Sequence, residues 1–140
     1  MIRAKDIMSE HVIVIRPDRL VRQVSHLMMR DRVSGFPVVD ENECLVGIIT
    51  MTDLFSMINK TAAHHQVDEF YRQLPEFQLL PIEKVMSKKV ITIGPETRLP
   101  EIIKILVDEN VHTFPVVEGQ KIIGIVSRHD ILNAIYAYDP

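Results

Sequence analysis

The chain has 140 residues, 46% of them apolar, a net charge of −3 and one cysteine, Cys44. That length bounds it to one compact unit or two small subdomains sharing a core, and the apolar share excludes a disordered chain. The mild acidity argues against a nucleic-acid binder built on a broad basic surface, and a lone cysteine excludes an intrachain disulfide or a thiolate metal cluster.

Val12 to Ile15 is a β-branched run stopped by Pro17, which predicts a short buried strand. Leu20, Val21, Val24, Leu27 and Met28 follow at spacings of three and four, predicting an amphipathic helix over roughly 19–32, broken by Gly35. Phe36-Pro37-Val38-Val39, a polar turn from Asp40 to Glu43, and Leu45 to Thr50 read as an antiparallel hairpin. Thr52, as N-cap, and Asp53 then open a helix carrying Leu54, Phe55, Met57 and Ile58.

Residues 59–80 form a connector. Val67, Phe70, Tyr71 and Leu74 predict a helical portion, and Pro75 and Pro81 bound a shorter extended piece. After it the first order returns. Val90 to Ile93 is a strand; Thr97 caps a helix with Leu99, Ile102, Ile103, Leu106 and Val107 as its buried stripe and Pro100 in its first turn. Phe114 to Val117 and Ile122 to Val126 form a hairpin around Gly119, and Asp130 opens a last helix with Ile131, Leu132, Ile135 and Tyr136. Met28, Met29, Met51 and Met57 read as core filler.

Each half is thus β-α-β-β-α in a mixed α+β fold, and 7–58 lies over 85–135 with one gap. Ile7-Met8-Ser9 answers Val85-Met86-Ser87, Phe36-Pro37-Val38-Val39 answers Phe114-Pro115-Val116-Val117, and Gly47-Ile48-Ile49-Thr50-x-x-Asp53 answers Gly124-Ile125-Val126-Ser127-x-x-Asp130. Two copies are too few for a solenoid but can pack around a pseudo-twofold axis. These residues resemble a tandem pair of CBS domains, named after cystathionine β-synthase, over nearly everything outside the connector. The resemblance implies repeat 1 at 1–58, repeat 2 at 81–140, and a pseudo-symmetric pair, or Bateman module, with two clefts. Such clefts commonly hold AMP, ADP, ATP or S-adenosylmethionine, and members usually sense rather than catalyse.

The chemistry of the repeated ending fits such a ligand. Thr50-x-x-Asp53 and Ser127-x-x-Asp130 each stand where a strand turns into a helix, whose free N–H groups suit phosphate. The hydroxyl can donate to a phosphate oxygen, and the carboxylate can accept from ribose hydroxyls. The resemblance assigns the same roles: Asp53 and Asp130 to ribose, Thr50 and Ser127 toward phosphate. Ordinary helix capping is the alternative for all four. Adenine needs a flat apolar slot; Ser34-Gly35-Phe36-Pro37 and Thr113-Phe114-Pro115 are candidates, with Ile13 and Ile91 as walls, and core packing is the alternative for both Phe and both Ile. By analogy with related pairs the clefts are crossed, Asp53 working with Thr113 to Pro115 and Asp130 with Ser34 to Pro37. Arg128 and His129 replace Met51 and Thr52, so the Asp130 site is expected to favour a phosphorylated ligand, and His112 stands where the first copy has Ser34.

The expectation is a regulatory module with an adenine nucleotide (AMP, ADP or ATP, with S-adenosylmethionine or NADH as further candidates) as ligand. No catalytic residues, metal or catalytic cofactor are expected. A homodimer and an effector protein in trans are the expected partners, with no membrane and no nucleic acid as primary partner. A homodimeric interaction scaffold with vestigial clefts is the alternative. His64-His65 is not expected to hold a metal ion, because neighbours on a helix diverge by about 100°. The N-terminus does not resemble a signal peptide and no apolar run approaches the ~18 residues of a membrane span, so a cytoplasmic setting is expected.

Overall fold

The computed structural model describes residues 1–62 and 66–139. In chain order the elements are α1 (Ala4–Ile7), α2 (Val21–Asp31), β1 (Gly35–Val39), β2 (Leu45–Thr50), α3 (Met51–Ala62), α4 (Val67–Gln78), a 3₁₀ turn (Ile82–Lys84), α5 (Leu99–Glu109), β3 (Thr113–Glu118), β4 (Lys121–Ser127) and α6 (Arg128–Tyr136). His64 and His65 lie outside the described residues.

The chain divides into two compact units. One is continuous, Ile13–Val90; the other is discontinuous, Met1–Val12 together with Ile91–Pro140. Each unit therefore takes the Met-Ser segment that precedes the other repeat. In the continuous unit β1 and β2 pair antiparallel, with Gly35 opposite Thr50 and Phe36 opposite Ile49. In the discontinuous unit β3 and β4 do the same, with Thr113 opposite Ser127 and Phe114 opposite Val126. The gap between the repeats falls in the hairpin turn, where Val39 faces Leu45 but Val117 faces Ile122.

The two predicted first strands are not strands. Each is reduced to one bridging residue: Ile15 beside Val38 and Ile93 beside Val116, both parallel. Ile15 donates to Pro37 and accepts from Val39, which joins the run to the edge of β1 at one residue only. The outer edges of the hairpins are met by the serines. Ser87 exchanges both backbone hydrogen bonds with Ile48, and Ser9 with Ile125. The preceding methionines cross over glycine: a Cβ on Gly47 would meet Met86 Sδ at 2.7 Å and the Ser87 carbonyl at 2.9 Å, and a Cβ on Gly124 would collide with Met8. The Met-Ser motif and the Gly-Ile motif are thus two sides of one contact within each unit.

The cores follow the predicted stripes. Val21, Val24 and Met28 of α2 pack with Phe36, Val38, Ile49, Leu54 and Ile82; Ala4 packs with Ile93, Ile102, Phe114, Val126 and Ile131. Val107 and Met29 fall outside, both 69% exposed, because their positions turn away from the sheet. Helix α2 ends at Arg32 and α5 at Asn110, both in the left-handed region at φ 54° and 52°, so the break precedes Gly35. Thr97 is not the α5 cap: that position is Arg98, and the Thr97 hydroxyl instead accepts from the Gly94 amide at 3.0 Å. Pro100 does lie in the first turn of α5. The piece bounded by Pro75 and Pro81 is not extended as a whole, since α4 runs through Pro75 to Gln78. Pro75 is exposed and its missing N–H removes one bond from the last turns.

Candidate functional site

The strand-to-helix junctions have the same geometry in both units. Asp53 Oδ2 accepts from the Thr50 amide at 2.8 Å and the Thr50 hydroxyl at 2.9 Å, and the Thr50 Oγ1 accepts from the Asp53 amide at 3.1 Å. At Ser127 and Asp130 the same three bonds measure 2.8, 3.0 and 3.2 Å. Both pairs are reciprocal caps. The capping residue of α3 is therefore Thr50 rather than Thr52: the pattern that satisfies free helix amides is Ser/Thr-x-x-acid, which the sequence displays at Thr50, not two residues later.

The junction is closed by the neighbouring strand. The Met51 amide donates to the Ser34 carbonyl at 2.9 Å, and the Arg128 amide to the His112 carbonyl at 3.1 Å. With Gly35 opposite Thr50 and Thr113 opposite Ser127, each hairpin brings the start of its Phe-Pro strand beside its own Ser/Thr-x-x-Asp. Among the described residues the Thr52 and His129 amides at the two helix ends make no hydrogen bond. The cap bonds leave Oδ1 of each aspartate without a hydrogen bond among the described residues. A half-buried carboxylate with one oxygen tied into a cap and one open can accept from a ligand hydroxyl without dismantling the helix start.

The other predicted residues separate clearly. Phe36 and Phe114 are 2% and 0% exposed and belong to the two cores. Their rings, with the buried Pro37 and Pro115, cannot face a ligand, so only the backbone there is open to one. Ile91 packs against the core of the discontinuous unit, whereas Ile13 is 36% exposed. Thr113 is buried and Ser34 exposed. His112 is half-buried with its ring 3.2 Å from Asn110 Oδ1. Arg128 and His129 are exposed on the first turn of α6, and no ion pair holds Arg128 among the described residues. Met51 and Thr52 hold the equivalent positions on α3. The two junctions thus share a scaffold and differ in charge.

The family model described as CBS domain matches twice, at residues 4–60 and 82–137. The chain belongs to the CBS domain family. It is 29% identical to an uncharacterized protein, MJ1426 of Methanocaldococcus jannaschii, covering 94% of this chain and 89% of that one. The crystal structure of MJ1225, from the same organism, is similar with a TM-score of 0.83 and 28% identity, covering 95% of this chain and 47% of that one. The chain therefore spans under half of MJ1225. CBSX2 in complex with AMP shares the fold at a TM-score of 0.76 and 23% identity, over 96% of each chain. The CBS domain pair of MJ0100, in complex with 5′-methylthioadenosine and S-adenosyl-L-methionine, shares it at 0.75 and 24%, over 96% and 99%.

Proposed function

We propose that this CBS pair is a non-catalytic regulatory module that binds an adenosine derivative at its two Ser/Thr-x-x-Asp junctions. Asp53 and Asp130 offer Oδ1 to ribose hydroxyls while Oδ2 stays in the cap, and Ile13 and Ile91 flank the base. The observation that carries this reading is the open oxygen, present twice in the same geometry. Arg128, His129 and the free amide between Arg128 and Asp130 favour a phosphorylated ligand at the α6 junction, because a guanidinium and a helix N-terminus both stabilise phosphate. AMP in CBSX2 and S-adenosyl-L-methionine in MJ0100 support the adenosine class. Output then passes to a second copy or to an effector in trans, by differential affinity of the ligand for two states.

The scaffold reading has its own support, since both aspartates already serve as caps. Thermal melting with AMP, ADP, ATP, S-adenosylmethionine and NADH separates the two. A ligand at ~100 times its Kd adds about 2.7 kcal/mol. Asp130→Asn keeps an acceptor for the cap and removes the charge, so its apo melt is expected to stay near wild type while the ligand-induced gain at that junction is lost. Asp130→Ala is expected to lower the apo melt as well, by about 1 kcal/mol. A gain that survives in Asp53→Asn, Asp130→Asn and the double variant alike sinks the proposed site, and no gain with any ligand favours the scaffold.

A further inference from the structure

Among the α-helices of the continuous unit, α4 alone buries nothing. Helix α2 sinks Val21, Val24 and Met28 into the core and α3 sinks Leu54, whereas none of the twelve residues of α4 is buried. It lies across α2 and α3 with Phe70, Leu74 and Phe77 over Ile58, and of its side chains only Phe77 packs against the core. Val67 and Tyr71 are 72% and 64% exposed.

Two features weaken this attachment. Gln73 Oε1 is buried with no hydrogen-bond partner among the described residues, and Gln73 lines a cavity of about 10 Å³ with Ile58, Phe70, Leu74 and Phe77. A water needs at least that much room and two or more polar partners, and Gln73 is the one polar residue among those five. The acceptor therefore stays dry while α4 is docked and gains a bond from solvent when α4 leaves. Pro75 removes an N–H from the last turns of the helix. The chain just beyond α4 is fixed instead. The Leu80 carbonyl accepts from the Val21 amide at 2.9 Å, the Ile82 amide donates to the Arg19 carbonyl at 2.7 Å, and Ile82 is fully buried. Leu79, which ends α4 and is 56% exposed, is the joint between the two.

We propose that α4 is a strap that swings off α2 and α3 about Leu79 while the rest of the continuous unit stays folded. A helix of twelve residues is at the lower limit for standing alone in water, so the strap unravels as it opens. Opening uncovers Ile58, further along α3 than the Thr50–Asp53 junction, and leaves that junction intact. The inference is independent of the nucleotide reading; it gives the unit a moving part that needs no ligand.

Hydrogen exchange of the full chain under native conditions, across a series of low urea concentrations, tests this. The Tyr71, Gln73, Leu74 and Phe77 amides are expected to be about tenfold or more less protected than those of Met28 and Val39, with a urea slope above zero and below that of global unfolding. Gln73→Met is expected to slow exchange in α4 about fivefold or more, because the unpaired acceptor no longer favours the open form. Ile49→Val, in the core, is expected to speed exchange at Met28 and Val39 about twofold or more and to leave α4 unchanged, since strap opening does not break the core. The proposal is overturned if α4 and the core exchange together, or if Ile49→Val speeds both alike. It is equally overturned if exchange in α4 is independent of urea, which is fraying alone, or if Gln73→Met leaves it unchanged.

Discussion

Glu96 shows how single side chains hold the discontinuous unit together. It meets Lys5 Nζ at 2.7 Å and the Arg3 guanidinium, tying the α1 segment to the loop before α5. The hydrogen bond from Lys5, and then that from Arg3, holds its carboxyl below the ordinary value of 4.5. A carboxylate with a folded-state pKa below its unfolded one contributes stability above the unfolded value and loses it as pH falls through the folded one. The melting-temperature gap between wild type and Glu96→Gln is therefore expected at neutral pH and to close below pH 4.5. High salt should narrow it, because all three groups are exposed. A gap that stays constant down to pH 3 would show that the pair contributes nothing. The aspartates at the junctions teach a related point. Binding and capping were alternatives when only residue type and spacing were in view; the two oxygens of one carboxylate let the roles coexist.

Among the elements, the hairpins and the long helices were legible because their patterns are dense: alternating or β-branched runs bounded by turns, and stripes at three and four. The first strands misled for a physical reason. A β-branched run before proline signals burial and extended backbone, and Ile15 and Ile93 are buried and extended, yet only one residue of each reaches the ladder. Pro75 misled in the opposite direction, since an exposed proline near a helix end costs one bond rather than the helix. Helix α4 carries a further flaw: Gln73 Oε1 is buried with no hydrogen-bond partner among the described residues. An unsatisfied buried acceptor costs about 1–3 kcal/mol. Gln73→Met, similar in length and apolar, is expected to raise stability by about 1 kcal/mol in a denaturant titration. A loss of stability would mean that the amide is satisfied in solution.

On the scale of the whole molecule, internal repetition was plain but contact was not. Similarity between halves reports common descent of segments; it does not say which segment packs with which. The Met-Ser pieces look like the start of their own repeat, and each completes the other one. The consequence is measurable by hydrogen exchange. Ala4 is fully buried in the core of the discontinuous unit, and Ile82 in that of the continuous one. A buried unpaired carboxylate costs several kcal/mol. Ala4→Asp is expected to strip protection first from residues 91–139, far along the sequence, and Ile82→Asp from residues 13–62. Loss of protection from the half that contains each substitution in sequence would contradict the division into units.

The interrupted path of the discontinuous unit also sets an order of assembly during synthesis. Residues 1–12 leave the ribosome before residues 13–90, yet their partners, from Ile91 onward, are made after them. The continuous unit can close as soon as Val90 has emerged, whereas residues 1–12 must idle with Ala4 and Met8 uncovered until the second hairpin has been made. That window is where a chaperone would find the nascent chain.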